Sequence, residues 1–234
     1  MPELMFHVES AEPLAMAASP HLAFRLRISE VAAEDSEATS IHSVMLQCQI
    51  RIEPARRRYD DEEQAGLFDL FGEPERWGQT LRSMLWTHCG IGVPAFTRTT
   101  TVDLPVPCTY DFNISATKYF HALRDGEVPL ELLFSGTIFY GAEDGSLRVA
   151  PIAWDKDASF RLPVRTWKQM MDQYYSNVVW LCLRKDVFER LYRYKSRLTL
   201  PSWDQAVDRL LAQTEEQSAP EIEHAAAASR RSGL

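Results

Sequence analysis

The chain has 234 residues, of which 45% are hydrophobic and 11% aromatic, which is enough apolar material for a globular core. Its formal net charge of −8 would repel phosphate backbones, so nucleic acid is not the expected partner. No run of about 18 apolar residues occurs, and Glu3, Glu9 and Glu12 stand where a secretory leader would be basic. We therefore expect a cytoplasmic protein without a membrane span.

Alternating apolar and polar residues predict strands in the first two thirds of the chain. The alternation is weak over residues 22–28 and clear over residues 43–53, where one side carries Val44, Leu46, Cys48, Ile50 and Ile52. A longer alternating segment, residues 102–115, has Pro105 and Pro107 on its polar side, so its first half should be an edge strand. The stretches MLWTHCGIGV and PLELLFSGTIFYG are predicted strands in which glycine favours a bulge, and EDGS predicts a hairpin turn before LRVAPIAW.

These segments together predict a mainly β (α+β) fold. We expect an antiparallel β-sandwich-like domain over residues 1–162, because at least six strands separated by turns favour a sandwich or an open barrel over βαβ units. A short inserted helix is predicted over residues 60–71, where acidic residues begin an apolar segment that Gly72 and Pro74 end.

The last quarter of the chain has helical spacing. Trp167, Met170, Met171 and Tyr174 stand at i, i+3, i+4 and i+7, which predicts a C-terminal helical segment over residues 163–213, packed on the sheet. Ser202 and the glutamine three residues later predict a capping box for the last helix of this segment. Residues 214–234 are polar and alanine-rich without a large apolar face, so we expect a disordered tail.

Four widely separated cysteines form no CxxC pair, and a reducing compartment would keep them as thiols. Cys48 and Cys108 lie in apolar stripes, which predicts buried thiols and no cofactor. The alternative is a metal site formed by Cys48, His88, Cys89 and Cys108. Because His88 and Cys89 are adjacent on a strand and face opposite ways, only one of them could join such a cluster.

Two segments are candidates for protein binding. The run Arg56, Arg57 and Arg58 could clamp an anion, but the acidic residues 60–63 that follow favour a solvated corner between a strand and a helix. The stretch MMDQYY has more large side chains than one side of a helix can bury, which favours an adaptable docking surface. The predicted protein-binding residues are therefore Trp167, Met170, Met171, Tyr174 and Tyr175, with Arg56, Arg57 and Arg58.

Catalytic signatures are absent from the sequence. The six histidines lie in unrelated contexts, and no GxSxG, P-loop, GxGxxG or HExxH string occurs. We therefore predict no catalytic residues and a protein that is not an enzyme.

Five long strings resemble one bacterial family of domains of unknown function, DUF6084. They are IRIEPARRRYDDEE, LFDLFGEPERWGQTLRSMLWT, VDLPVPCTYDFNISATKYFHAL, PLELLFSGTIFYG and WDKDASFRLPV, and the resemblance extends over about residues 4–211. The resemblance implies an association with nickel-iron hydrogenases, beside which members of the family tend to be encoded, and hence an accessory or assembly role. It supplies no catalytic residues, and neighbourhood is not a mechanism.

The sequence thus predicts a non-enzymatic, cytoplasmic accessory protein that binds a protein client, in the manner of a chaperone. The expected client is a hydrogenase subunit or a maturation factor. One alternative is a metal-binding or redox component that uses the cysteine and histidine ligands. Another is a small-molecule-binding β-sandwich with a pocket formed by Tyr110, Phe112 and Tyr119.

Overall fold

A computed structural model of the chain describes residues 2–31, 39–111, 114–142, 145–176 and 181–214. It divides into two compact units, Met1–Trp180 and Leu181–Leu234. The first unit contains the strands and five of the described helices, and the second contains two helices.

The strands of the first unit form two antiparallel sheets. In chain order the strands are β1 (Leu4–Pro13), β2 (His21–Glu30), β3 (Ser40–Ile52), β4 (Met84–Val93), β5 (Phe96–Thr97), β6 (Thr99–Pro107), β7 (Glu127–Gly141), β8 (Leu147–Pro151) and β9 (Asp157–Pro163). One sheet has the order β1-β2-β6. The other has the order β4-β3-β7-β8, with β5 paired to β3 and β9 paired to β7.

The core lies between the two sheets and is filled by apolar side chains at alternate strand positions. Every second residue of β2 and β3 is buried, which places Leu22, Phe24, Leu26 and Ile28 opposite Val44, Leu46, Cys48, Ile50 and Ile52. Phe6 of β1 stacks on Phe134 of β7 at 4.3 Å between ring centroids, which joins the sheets directly. Burying a large apolar side chain contributes about 1.5–3 kcal/mol. The β-rich α+β fold, with two sheets and short helices, is therefore confirmed.

Short helices interrupt the strands. Between β3 and β4 lie α1 (Asp61–Gly66), α2 (Phe68–Phe71) and α3 (Trp77–Thr80), with 3-10 turns at Pro54–Arg56 and Pro74–Arg76. The side chain of Asp60 caps α1, since its Oδ1 accepts from the backbone N–H of Glu63 at 2.8 Å. Helix α4 (Ser115–Ala122) follows β6, and α5 (Val164–Tyr174) follows β9. The insertion predicted over residues 60–71 is thus helical but divided.

Three features differ from the sequence-based expectations. Strand β1 was not predicted, although Leu4, Phe6 and Val8 are buried in alternation. The strand predicted over residues 102–115 ends at Pro107. Helix α4, over Ser115–Ala122, was not predicted either. Its sequence signal is the i, i+3, i+4, i+7 spacing of the buried residues Ala116, Tyr119, Phe120 and Leu123.

The division into units also differs from the predicted boundary after residue 162. Helix α5 contacts β1, β2 and β9, and it buries Val164, Thr166, Trp167, Met170 and Met171, so it belongs to the first unit. The packing of the remaining helical segment on the sheet stays a prediction. Of the tail predicted over residues 214–234, all except Thr214 lies outside the described residues.

The second unit contains α6 (Lys185–Arg197) and a further helix, α7, over residues 203–214. Ser202 caps α7 as predicted, since its Oγ accepts from the backbone N–H of Gln205 at 3.1 Å. Trp203 lies against the rings of Phe188 and Tyr192, with centroids 5.4 and 6.2 Å away. Within the described ranges, no helix has the length and apolar character needed to cross a bilayer.

Candidate functional site

The three consecutive arginines have different surroundings. Arg56 and Arg58 are exposed, whereas the Arg57 side chain is only 8% exposed. Arg57 Nη2 donates to Glu63 Oε1 at 2.6 Å and to the Asp125 carbonyl at 2.7 Å, and its Nη1 donates to the Glu127 carbonyl at 3.0 Å. Glu63 is buried too, and its Oε1 accepts from the backbone N–H of Arg124 at 2.8 Å.

Arg57 therefore has a structural role. Its hydrogen bonds connect the segment between β3 and α1 to the loop that leads into β7. The expectation of a solvated corner is correct for Arg56 and Arg58 and wrong for Arg57, because a guanidinium can satisfy several carbonyl and carboxylate oxygens at once. Its place within this network leaves Arg57 unsuited to the predicted role in protein binding.

The docking surface predicted on α5 needs a correction as well. Trp167, Met170 and Met171 are 3%, 0% and 4% exposed, so a partner cannot reach them in the folded unit. Tyr174 and Tyr175 are partly exposed, but both are engaged: the Tyr174 hydroxyl donates to the Ala17 carbonyl at 2.9 Å, and Tyr175 stacks on Tyr110 at 4.9 Å. The methionines and the tryptophan are core residues because α5 lies on the sheets.

A bulge in β4 builds an aromatic cleft. Thr87 pairs with Ile50 and Leu85 pairs with Arg51, so Trp86 is an extra residue without a partner on β3. The extra residue brings both Trp86 and Thr87 to the wall of one cavity of about 240 Å³. The other walls come from β6, α4, α5 and the segment before α4, through Pro107, Thr109, Ile114, Ala116, Thr117, Phe120 and Trp167.

The cleft combines ring faces with hydroxyl groups. Trp86 lies against Phe120 at 4.9 Å, and Phe120 stacks on Trp167 at 5.0 Å with an angle of 11°. The Thr117 hydroxyl donates to the Thr109 carbonyl at 2.9 Å, which ties α4 to the preceding segment. Ile114 is 39% exposed and forms the rim. An apolar wall with few polar groups is the usual composition of a ligand pocket.

The pocket predicted from Tyr110, Phe112 and Tyr119 is not assembled as expected. The Tyr110 ring lies 6.2 Å from that of Trp167 and stacks on Tyr175. Tyr119 is fully buried, and its hydroxyl is 2.7 Å from that of Tyr59, so it belongs to the core. Burial raises the pKa of Tyr119 and raises that of Tyr59 to about 12. Phe112 lies outside the described residues.

Apolar side chains also meet on the solvent face of the larger sheet. Val149 of β8 lies opposite Phe139 of β7, and Met45 of β3 lies opposite Thr137, one row along. Met45, Leu147 and Val149 are 53%, 61% and 59% exposed. We call this surface the outer patch, and it consists of Met45, Phe139, Leu147, Val149 and Pro151.

The outer patch ends at an unpaired sheet edge. Strand β8 is the last strand in the order β4-β3-β7-β8, and no described strand pairs with its outer side. An edge strand of this kind can accept an added strand. The adjacent rows of the same face are uncharged, with Gln47 and Ser135 next to Met45 and Thr137. An exposed apolar patch that continues into a free edge is typical of a protein-binding surface.

The proposed metal ligands divide between two faces of the sheet. Cys48 and Cys89 are opposite each other on β3 and β4 and are buried, whereas His88 is exposed on the other face. Cys108 is buried, and its Sγ donates to the Val106 carbonyl at 3.5 Å. Over the described residues, no group of three or more His, Cys, Asp or Glu side chains converges as a metal site would require.

The buried thiols have perturbed acidities. Hydrogen bonding between the Cys48 and Cys89 thiols lowers the pKa of Cys89 and raises that of Cys48, and burial raises the pKa of Cys48 further. Burial raises the pKa of Cys108 to about 12. Cys89 is thus the more acidic member of an adjacent pair.

Sequence reasoning missed the aromatic cleft and the outer patch. The patch had a readable signal, because Leu147 and Val149 occupy alternate positions of a predicted strand. The cleft depends on a bulge at Trp86, and alternation cannot place an unpaired residue before the pairing is known.

Comparison with curated proteins gives no significant match. Among solved structures, the chain matches a Bordetella pertussis crystal structure described as an ApaA protein, with 15% identity and a TM-score of 0.22. That match covers 69% of this chain and 93% of the other, and at this TM-score it supports no conclusion about fold or function. A family model matches residues 1–219, and the chain therefore belongs to the family of unknown function DUF6084.

Proposed function

We propose that the protein is a non-enzymatic accessory protein that binds a protein client through the outer patch and the free edge of β8. The observation that carries the proposal is the continuity of the two features. Exposed Leu147 and Val149 stand on the very strand whose outer backbone groups have no described partner strand. A client can therefore gain apolar contacts and backbone hydrogen bonds from one docking event.

The expected client segment is an extended strand with uncharged, apolar side chains at alternate positions. Strand addition supplies affinity through main-chain hydrogen bonds and specificity through alternate side chains. The apolar rows of the patch, with Gln47 and Ser135 beside them, match apolar or neutral side chains and offer no counter-ion to a charged segment. The short length of β8, five residues, limits the added strand to a similar length.

The resemblance described above suggests a client, namely a subunit or maturation intermediate of a nickel-iron hydrogenase in the cytoplasm. The identity of the client and the location of the binding surface are separate hypotheses. A test must therefore show which of the two is wrong if binding is not as expected.

The test measures binding of the purified full chain to the small and large subunits of a nickel-iron hydrogenase encoded in the same genome. Val149→Asp should weaken binding at least tenfold, which corresponds to about 1.4 kcal/mol. Phe68→Asp is the matched control, because Phe68 is 52% exposed and belongs to α2 and not to the strands that form the patch. If Val149→Asp binds as well as Phe68→Asp does, the outer patch is not the binding surface. If the unaltered chain does not bind either subunit, the hydrogenase is not the client.

A second candidate function is small-molecule binding in the aromatic cleft. The specific observation is the cavity of about 240 Å³ that the β4 bulge forms. Ligand pockets for drug-sized molecules begin at about 300 Å³, so this cleft suits a single ring system. Indole should raise the melting temperature of the unaltered chain and not that of Ile114→Trp, which fills the rim. An equal shift in both would place indole elsewhere.

A further inference from the structure

Two cysteines that are distant in sequence lie directly opposite each other in the larger sheet. Cys48 of β3 and Cys89 of β4 are register partners on the inner face, and both are free thiols. Directly opposite residues of an antiparallel pair have Cα atoms about 4.5–5.5 Å apart. That spacing lies within the range of about 4.4–6.8 Å that a disulfide spans. The backbone therefore already has the separation that an S–S bond needs.

The two side chains also lie on the same face of the sheet and interact. Hydrogen bonding between the thiols raises the pKa of Cys48 and lowers that of Cys89. Cys108 follows β6 of the other sheet and donates to the Val106 carbonyl, whereas Cys48 is the register partner of Cys89. Cys89 is thus matched with Cys48 rather than with Cys108.

Cys89 is the more solvent-accessible of the two cysteines. Cys89 is 9% exposed, whereas Cys48 is 2% exposed. The strand of Cys89, β4, lies at the edge of the larger sheet. The more accessible thiol is also the one whose pKa is lowered by hydrogen bonding between the pair, which favours its thiolate as the attacking nucleophile.

We propose that Cys48 and Cys89 are a redox-active dithiol that hydrogen peroxide converts into a cross-strand disulfide. The Cys89 thiolate attacks the peroxide, an S–O bond forms, and the O–O bond breaks to release water after protonation. The Cys48 sulfur then attacks the Cys89 sulfenic acid, the S–S bond forms, and the oxygen leaves as a second water that takes the Cys48 proton. The two sulfurs lose two electrons in all, and the peroxide gains them.

The test treats the full chain carrying Cys182→Ser with hydrogen peroxide, since Cys182 is exposed and would react independently. Peptide mapping after alkylation should show Cys48 linked to Cys89, with the intact protein lighter by two hydrogen atoms and Cys108 still alkylated. In Cys48→Ser, dimedone should trap a sulfenic acid on Cys89, and Cys89→Ser should show neither product. A disulfide between Cys89 and Cys108 would overturn the proposal. So would the finding that Cys48 and Cys89 react with hydrogen peroxide only after denaturation. Peptide mapping of the Cys182→Ser chain detects either result.

Discussion

Helices α5 and α6 have the same type of apolar spacing and opposite burial. In the first unit, α5 buries Trp167, Met170 and Met171 against β1, β2 and β9. In the second unit, no residue of α6 is buried, and Phe188 and Tyr192 are 45% and 55% exposed. Helical periodicity identifies which side of a helix is apolar, but it does not identify what covers that side.

The comparison extends from helices to charges. The Arg57–Glu63 pair of the first unit is 8% and 4% exposed, and the Arg184–Asp186 pair of the second is 80% and 64% exposed. The first unit thus has an apolar interior with a buried ion pair, and the second is a helical pair whose large side chains contact solvent. The four predictions below test this contrast.

The largest effect is expected from a charge placed in the core of the first unit. Val106 is fully buried, so Val106→Asp should unfold the unit, since an unpaired buried charge costs several kcal/mol against a total stability of about 5–15 kcal/mol. Val149→Asp, the same change at an exposed strand position, should leave the melting temperature within about 3 °C. Circular dichroism during heating measures both, and similar losses would show that the face assignment is wrong.

Next come two tryptophans, one in each unit. Trp167→Ala should destabilise the first unit by about 3–5 kcal/mol, because it leaves a cavity beside Phe120. Trp203 is 40% exposed and contacts Phe188 and Tyr192, so Trp203→Ala should cost less than about 1 kcal/mol and affect hydrogen exchange within residues 185–214. Urea titration with hydrogen-exchange mass spectrometry separates the units. Faster exchange in β1 or β2 after Trp203→Ala would contradict this prediction.

Much of the fold could be predicted from the sequence because burial on one sheet face imposes a period of two. The inner positions of β3, the bounds of β4 and the cap of α7 all follow local rules that need no tertiary information. Strand β1 has the same alternating signal at Leu4, Phe6 and Val8, so the same rule also applies to it.

The candidate sites depend on pairing, which the sequence does not contain. Cys48 and Cys89 become neighbours only through the register of β3 with β4, and the aromatic cleft exists only because Trp86 is the extra residue in that register. Arg57 looked like its exposed neighbours, since only the approach of Asp125 and Glu127 from a segment about 70 residues away buries it. Local sequence rules therefore describe single strands well and contacts between distant segments poorly.

The ion pairs of the two units supply the third prediction. Arg57→Ala should destabilise the first unit by about 3 kcal/mol, because removing one partner of a buried pair leaves Glu63 as an uncompensated charge. Arg184→Ala should change stability by less than about 0.5 kcal/mol, as expected for an exposed pair. Chemical denaturation at neutral pH measures both. A small effect of Arg57→Ala would mean that water replaces the guanidinium without loss.

The smallest expected effect is a loss of stability in alkali that comes from the buried tyrosine pair. Burial raises the pKa of Tyr59 to about 12 and raises that of Tyr119, so the folded state holds these protons more tightly than the unfolded state. The contribution is complete below the ordinary tyrosine pKa of about 10 and is lost as the pH rises from there towards about 12.

Tyr119→Phe should therefore lose less stability than the unaltered chain between pH 9 and pH 11, even though it starts lower because the hydroxyl contact with Tyr59 is removed. Tyr192→Phe is the control from the second unit, where the side chain is 55% exposed, and it should follow the unaltered chain across the same range. Urea midpoints at each pH provide the comparison. Parallel curves for all three proteins would show that the tyrosine pair adds nothing to the alkaline limb, and that the contrast between the two units does not extend to buried hydroxyl groups.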